Sequence, residues 1–211
     1  MRYPKPQSAE VRKFFEGPGD YLHLAFLHLI PDPTEAFEFY ARGYKEAAEI
    51  VTRTSLRSRR NVMAYYIVFP VVFLWRQYVE FRLKELIHSG RRLLGQPPPQ
   101  KEIYHHDIGQ LWDTVRVILS KSVHMRRSEF RLIERVIGEW KEIDPFSMAF
   151  RYPHDRKGKP SAPDVSHINL RKFGQIMKRL SKLLENASTS IGVGLDAKRE
   201  ADAAAASYDP Y

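Results

Sequence analysis

The chain has 211 residues, of which 43% are hydrophobic and 12% aromatic, enough apolar material for one well-packed domain. It carries 34 Lys and Arg against 25 Asp and Glu, a formal net charge of +9, which favours either polyanionic partners such as RNA or simply a well-solvated basic surface. Cysteine is absent, which excludes disulfides, thiolate metal sites and cysteine nucleophiles and fits a reducing compartment.

Residues 1–31 are predicted to form an N-terminal extension. Their start, MRYPKP, lacks the apolar core of a secretory signal peptide. A short apolar segment at 21–30 ends at two prolines, which cannot continue a helix without losing a backbone donor. We expect a cytoplasmic protein with no membrane partner, because the longest uncharged run, 61–75, is shorter than the ~20 residues that a membrane helix needs.

The first helix is predicted from residue 32 to about residue 54. Asp32 is placed to cap it, Pro33 suits its first position and Glu35 follows in its first turn. The turn that follows is basic. Its arginines are Arg53, Arg57, Arg59 and Arg60.

A long central helix is predicted over residues 61–88, with an apolar N-terminal half that should form the core and a charged C-terminal half. Pro70 either kinks this helix or marks the start of a new one. Gly90 is the expected C-cap. Three prolines at 97–99 predict an extended linker.

Three further helices are predicted over residues 106–121, 128–142 and 166–188, each from apolar residues at helical spacing. Between the last two, residues 144–164 are rich in Pro, Lys, Asp and Gly, and we expect them to be mostly loop.

The alanine-rich residues 191–211 have little to bury, so a flexible C-terminal tail is expected there. No alternating apolar and polar pattern indicates a sheet. The predicted fold is therefore all-α, a single-domain bundle of about five main helices over residues 32–190.

The central helix carries the first group of residues that could perform chemistry. Its members follow one another at four-residue steps: Arg76, Glu80, Lys84 and His88. This ladder is either a solvated stripe of ion pairs worth about 0.3–0.5 kcal/mol each, or a buried set in which Arg76 needs a designated partner. A buried Arg–Glu pair could serve the structure or hold a phosphate or carboxylate. We expect the ladder to face the third helix and the loop.

The second group is Tyr104-His105-His106-Asp107, at the start of the third predicted helix. Asp107 is explained by capping and by compensation of the helix dipole. His106 is either an acid–base group or a packed polar residue. No metal site is predicted, because two adjacent histidines and one aspartate lack further ligands.

The third group lies in the loop and comprises Asp144, Arg151, Tyr152, His154 and Asp155. It offers a guanidinium for phosphate, an aromatic ring for base stacking and a His–carboxylate pair for proton transfer. The alternative is a structural latch, in which Arg151 pins the loop to the core through Asp144 or Glu80. Phosphate-binding loops, dinucleotide fingerprints and nucleophile elbows are absent, so ATPase, dehydrogenase and serine-hydrolase activities are not expected.

Three blocks of the sequence resemble bacterial helical proteins related to the HEPN superfamily. They are FPVVFLWRQYVEFRLKELI at 69–87, HDIGQLW at 106–112 and DPFSMAFRYPHD at 144–155. The resemblance covers residues 34–188 and implies a compact helical bundle, commonly a homodimer, of the kind found in bacterial defence and toxin–antitoxin systems. It implies RNA as the substrate and an antitoxin or other protein as a further partner. Gln77 stands where the family pattern often has His.

The hallmark of that family is an Arg followed a few residues later by a His, and Arg82 with His88 matches it. The resemblance implies a metal-independent endoribonuclease without a cofactor, in which the His acts on the ribose 2′-OH or the leaving oxygen and the Arg stabilises the phosphorane. The other candidate site is a composite. It consists of Arg76, Glu80, His106 and Arg151, supported by Lys84, Asp107, Asp144, Tyr152, His154 and Asp155. The competing hypothesis is a non-catalytic helical module that binds a protein or nucleic acid and uses these residues as a buried structural network.

Overall fold

The computed structural model describes residues 32–57, 62–155, 157–161 and 165–207, and within them it contains five α-helices and no β-strand. The helices are α1 (Pro33–Arg57), α2 (Val62–Leu93), α3 (Ile108–Ser122), α4 (Arg127–Ile143) and α5 (Leu170–Ser207), with one 3₁₀ turn (Lys101–Ile103) before α3. The predicted all-α bundle is confirmed. The extension predicted at 1–31 and the two arginines Arg59 and Arg60 lie outside the described residues.

The long helix α2 lies at the centre of the bundle, where it packs against α1, α3 and α5. Helix α4 packs against α3 and α5, and α1 also touches α5. Buried hydrophobic side chains from all five helices form one cluster. Examples are Ala48, Leu83, Leu86, Val115, Ile133 and Leu180. The polar segments discussed below lie around this core.

Asp32 caps α1 as predicted. Its Oδ1 accepts hydrogen bonds from the backbone N–H of Thr34 (2.7 Å) and of Glu35 (3.2 Å), which satisfies two amides that have no partner within the helix. The helix continues to Arg57, a little beyond the predicted end.

Helix α2 runs through Pro70 without ending, so the alternative of a new helix at that proline is wrong. Gly90 is also not its C-cap. A Cβ at Gly90 would lie 2.2 Å from Cγ2 of Ile118, so this glycine permits the close approach of α2 and α3. Sequence alone cannot distinguish a glycine needed for packing from one that ends a helix.

The glycine that ends α2 is Gly95, which has a φ of +66°. Its N–H donates to the carbonyl of Arg92 (3.2 Å), and the N–H of Gln96 donates to the carbonyl of Arg91 (2.9 Å). These two bonds form a Schellman motif, which satisfies carbonyls left free at the helix end.

Burial along α2 agrees only in part with the prediction that its apolar half forms the core, since residues 71–75 at the end of that half are buried or half-buried but its start is not. Tyr65, Tyr66 and Phe69 are 75%, 58% and 44% exposed, whereas Arg76 and Glu80 in the charged half are almost completely buried. The reason is tertiary, since α3 and the segment after α4 contact the charged half. Hydrophobic periodicity shows which residues favour burial but not which part of a helix has neighbours.

Helix α5 extends far beyond the predicted end at residue 188, and the tail predicted as flexible is helical to Ser207. Ile191 is fully buried, and a Cβ at Gly194 would lie 3.0 Å from Leu93, so this part of α5 packs against the end of α2. The alanines after it are exposed, but alanine has the highest intrinsic helix propensity.

The segment between α4 and α5 is mostly loop, as predicted, with an isolated bridge between His154 and Pro160. Among the described helices, none combines the length and apolar character required to cross a bilayer.

Candidate functional site

Glu80 is the centre of a buried polar network on α2. Its Oε2 accepts a hydrogen bond from Nη1 of Arg76 (3.2 Å), and its Oε1 accepts one from Nζ of Lys84 (2.8 Å). Nδ1 of His106 lies 2.8 Å from the same Oε1. Because Arg76, Glu80 and Lys84 are spaced four residues apart, they share one face of the helix, as the sequence predicted.

The charges of this network explain the pKa of Glu80. Burial by itself raises the pKa of a carboxyl group, but the charge and hydrogen bond of Lys84 and the charges of Arg76 and His106 outweigh it, so the pKa of Glu80 is lowered. Burial lowers the pKa of Arg76, against the opposing charges of Glu80 and Asp144. The guanidinium still stays charged, because its pKa begins far above neutrality. Arg76 and Glu80 are therefore both ionised at neutral pH.

Arg76 also joins three parts of the chain. Its Nη2 donates to the carbonyls of His106 (2.7 Å) and Pro145 (2.9 Å), and its Nε donates to the carbonyl of Asp144 (3.2 Å). The ladder on α2 thus faces the start of α3 and the loop after α4, as predicted. With Glu80 and these carbonyls as acceptors, Arg76 has a structural partner for most of its donors.

The loop is held to the core, but not by Arg151 as the latch hypothesis stated. Asp144 is 2% exposed, and its Oδ1 accepts hydrogen bonds from the backbone N–H of Met148 (2.7 Å) and Ala149 (3.0 Å). Gln77 reaches across from α2 and donates to Oγ of Ser147 (2.6 Å). Arg76, Gln77 and Asp144 therefore form the latch.

Arg151 instead lies over the ring of Tyr152, with 5.0 Å from Cζ to the ring centroid. Both side chains are exposed, and Arg151 has no ion pair among the described residues. The composite site predicted from Arg76, Glu80, His106 and Arg151 is therefore only partly assembled: Arg76 and His106 contact Glu80, but Arg151 does not.

The His–carboxylate pair predicted at His154 and Asp155 does not form. Asp155 uses its Oδ1 to accept hydrogen bonds from the backbone N–H of Lys157 (2.8 Å) and Lys159 (2.9 Å), which closes a turn. His154 is exposed beside this turn. Neighbouring residues in a loop point in directions that the backbone sets, and sequence adjacency does not bring their side chains together.

The two histidines before α3 have different roles. Nδ1 of His105 accepts a hydrogen bond from the N–H of Asp107 (3.1 Å), whereas His106 bonds to Glu80 and leaves 62% of its side chain exposed. Asp107 caps α3, as predicted, by accepting from the N–H of Gln110 (3.1 Å). Within the described ranges no three His, Asp or Glu side chains are grouped as metal ligands.

Arg82 and His88, the pair suggested by the HEPN hallmark, contact different neighbours. Nη1 of Arg82 donates to Oε2 of Glu85 (3.2 Å) and to Oγ of Ser188 (3.3 Å), while the His88 ring packs on Phe37 at 5.4 Å between centroids. Six residues along an α-helix separate two side chains by about 120°, which accounts for this divergence. The structure does not bring the two together at one surface.

The pKa values of two groups near Arg82, those of His88 and Glu85, bear on the chemistry that this part of α2 could perform. Burial lowers the pKa of His88, helped by the charge of Arg91 and opposed by Asp32, so the ring is neutral at neutral pH. Burial raises the pKa of Glu85, because it outweighs the charge of Arg82 and the hydrogen bonds from Ser89 and Ser188. The sequence analysis missed Glu85, although its three-residue spacing from Arg82 is typical of a helical ion pair.

A basic surface on α5 was also missed. The first fifteen residues of this helix, 170–184, contain no Asp or Glu. Their cations are all exposed and none forms an ion pair among the described residues. They are Arg171, Lys172, Lys178, Arg179 and Lys182, and we call them the α5 basic face. Counting net charge for each predicted helix would have revealed it.

Comparison of the chain with protein-family models, with curated proteins and with solved structures finds no match. The resemblance to HEPN proteins therefore stays a prediction.

Proposed function

We propose that this protein is a helical module that binds RNA through the α5 basic face, and that its buried network of Arg76, Glu80 and Lys84 is structural. One observation carries the proposal: the cations of the α5 basic face are exposed and unpaired among the described residues, with no acid in the same stretch of helix. The cations of the buried network, by contrast, already have partners.

Cations in this arrangement suit a polyanion. Arg171 and Lys182 are separated by eleven residues, or about 16 Å along a helix, so the face can contact successive phosphates of one strand. Binding of this kind releases condensed counterions and therefore weakens steeply as salt rises. RNA is the polyanion that the sequence resemblance implies, and duplex DNA and an acidic protein serve as comparators.

The test is the affinity of the full chain for a labelled single-stranded RNA, measured by fluorescence anisotropy at several salt concentrations. The variant Lys172→Gln/Arg179→Gln/Lys182→Gln should bind RNA about tenfold or more weakly. In a plot of the logarithm of the binding constant against the logarithm of salt concentration, its slope should be smaller by about two, since each neutralised phosphate of a single strand contributes about 0.7. Duplex DNA and an acidic protein are measured in parallel.

The matched control removes three exposed arginines from α4, where glutamates are interspersed: Arg127→Gln/Arg131→Gln/Arg135→Gln. It has the same change in net charge, and it should change the affinity by less than about twofold. Equal losses in both variants would contradict a localised binding face. No RNA binding even at low salt would reject the proposed function, and tighter binding of the acidic protein would assign the face to that partner instead.

A second candidate function is the metal-independent cleavage of RNA with His106 as the acid–base group. One observation favours it: the exposed ring of His106 is oriented by the buried carboxylate of Glu80, as in many acid–base histidines. Arg76 is engaged with backbone carbonyls, which leaves the stabilisation of a phosphorane without an assigned cation.

The test of cleavage is incubation of the purified chain with total RNA in the presence of EDTA, beside His106→Ala, His88→Ala and Arg151→Ala. Loss of cleavage in His106→Ala alone would support the second candidate. Loss in His88→Ala alone would restore the Arg82 and His88 pair. Cleavage that survives all three substitutions would exclude His106, His88 and Arg151 as catalytic residues. Intact RNA together with salt-dependent binding would leave the binding module as the function.

A further inference from the structure

A polar pocket lies between α1, α2 and α5, and we call it the Arg82 pocket. Its volume is about 330 Å³, within the range of roughly 300–1,000 Å³ that is typical of small-molecule sites. All the described residues that line it are charged or carry a hydroxyl group. The charged ones are Glu38, Arg42, Lys45, Glu46, Arg82 and Glu185. A wall of this composition suits a polar ligand.

Arg82 contributes a buried side chain to this wall. It is 5% exposed, and part of its guanidinium is held by the protein. Its Nη1 donates to Oε2 of Glu85 (3.2 Å) and to Oγ of Ser188 (3.3 Å). The Ser188 hydroxyl in turn donates to Oε1 of Glu85 (3.1 Å). These three groups from α2 and α5 fix the position of the guanidinium.

The other two nitrogens of Arg82 have no acceptor among the described residues. Nε is completely enclosed, so a ligand cannot reach it. Nη2 is different, because it retains accessible surface and is therefore the nitrogen through which Arg82 reaches the pocket. Donors on buried side chains are almost always paired. The two hydrogens of Nη2 thus offer a position for the oxygen of a ligand.

The remaining charges of the wall disfavour a simple ion. Lys45 and Glu185 pair with each other at 2.7 Å. Glu38, Arg42 and Glu46 are spaced four residues apart on one face of α1, and none of them forms an ion pair with another described residue. A lone anion on Arg82 would face two carboxylates of α1, and a lone cation would leave Nη2 unpaired. A ligand that carries both charges satisfies both sides of the pocket.

We infer that the Arg82 pocket binds a small zwitterion with a carboxylate and an ammonium group, of the class of free amino acids. The carboxylate accepts a hydrogen bond from Nη2 of Arg82, and Glu38 and Glu46 balance the ammonium. This inference goes beyond the proposed function and does not depend on it, because none of these residues belongs to the α5 basic face.

The experiment is a titration of the ¹⁵N-labelled full chain, followed by NMR. The Nε–H of Arg82 is enclosed by the protein and so is protected from rapid exchange with water, which makes its signal a reporter next to the proposed contact. Arg82→Lys assigns this signal. The backbone N–H signal of Thr189, in the pocket wall, reports on binding in every variant. The probes are glycine, acetate, methylammonium and inorganic phosphate, at one pH and ionic strength.

Glycine should move both signals to saturation. Acetate and methylammonium, which each carry only one of its charges, should bind at least about tenfold more weakly. Arg82→Lys keeps the positive charge but removes Nη2, and it should weaken the binding of glycine about tenfold or more. Glu38→Gln/Glu46→Gln should weaken the binding of glycine about tenfold but not that of acetate. Both glutamates are exposed, so this variant provides the test if Arg82→Lys does not fold.

The matched control is Glu134→Gln/Glu142→Gln, which removes two exposed acids of α4 outside the pocket and should change the binding of glycine less than about twofold. Equal weakening by the two double variants would overturn the inference. Glycine that moves neither signal would do the same, as would acetate or phosphate that binds as tightly as glycine. A saturating response to glycine in a chain that does not bind RNA would support the pocket and reject only the proposed function.

Discussion

Nδ1 of His106 lies 2.8 Å from Oε1 of Glu80, so an imidazole at the surface is hydrogen-bonded to a carboxylate that is 1% exposed. The same oxygen accepts the hydrogen bond of Lys84, and Arg76 binds the other oxygen. One carboxylate thus balances two buried cations and orients a histidine. The consequences of removing its charge are large and measurable.

Glu80→Gln should destabilise the fold by about 3–5 kcal/mol, because it leaves two buried cations without their counter-charge. Chemical denaturation with urea, followed by circular dichroism, measures this change. Glu134→Gln is the matched control, since Glu134 pairs with Arg116 at 3.7 Å on the surface. Its effect should stay below about 1 kcal/mol. Equal effects of the two substitutions would show that the buried network does not stabilise the fold.

The lowered pKa of Glu80 also predicts acid sensitivity. A carboxyl group whose pKa is lowered in the folded state stabilises the protein at pH values above its ordinary pKa, which is 4.5 for Glu80. This stabilisation disappears as the pH falls through the pKa of the folded state. The difference in free energy of unfolding between the wild type and Glu80→Gln should therefore shrink as the pH is lowered from about 7 to about 3. Two parallel stability curves would contradict the assignment.

His88 should make stability fall on mild acidification. Burial holds its pKa below the ordinary value of 6.5, so the unfolded chain takes up a proton before the folded one does. Stability is then lost as the pH falls below about 6.5. His88→Gln should flatten this part of the curve, whereas His124→Gln, at an exposed position, should leave it unchanged. A wild-type slope retained in His88→Gln would refute the prediction.

Gly90→Ala should destabilise the protein by about 1–3 kcal/mol, since the added methyl group would overlap Ile118. Gly138 in α4 is the matched control, because a Cβ there meets nothing within 4 Å. Gly138→Ala should be neutral or stabilise by up to about 1 kcal/mol, as expected for a glycine replaced inside a helix. Urea midpoints of the two variants provide the measurement. A Gly90→Ala variant as stable as the wild type would show that α2 and α3 can move apart at little cost.

Local signals in the sequence predicted much of the fold. Asp32 and Asp107 cap the helices that follow them, because capping depends only on a side chain and the next three residues. The helices themselves were visible in the spacing of apolar residues. The end of α2 could not be predicted in this way, because the role of Gly90 depends on Ile118, which lies in another helix.

The candidate site was harder to predict for the same reason. The four-residue spacing correctly grouped Arg76, Glu80 and Lys84, but it also included His88, which contacts α1 instead. Each four-residue step turns about 40° around a helix, so the fourth member faces a different neighbour. Which arginine holds the loop could not be predicted either, since Arg76 and Arg151 carry the same group and only tertiary packing determines that Arg76 is inside.

The bonds of Arg76 to backbone carbonyls constrain the order in which the molecule can fold. Its partners at His106, Asp144 and Pro145 are 30, 68 and 69 residues away along the chain. Closing loops of this length costs conformational entropy, whereas the hairpin of α1 and α2 is local. We therefore expect the hairpin to form early and the guanidinium to lose its hydration shell late, when α3 and α4 dock together. A single side chain thereby makes the final assembly of distant segments cooperative.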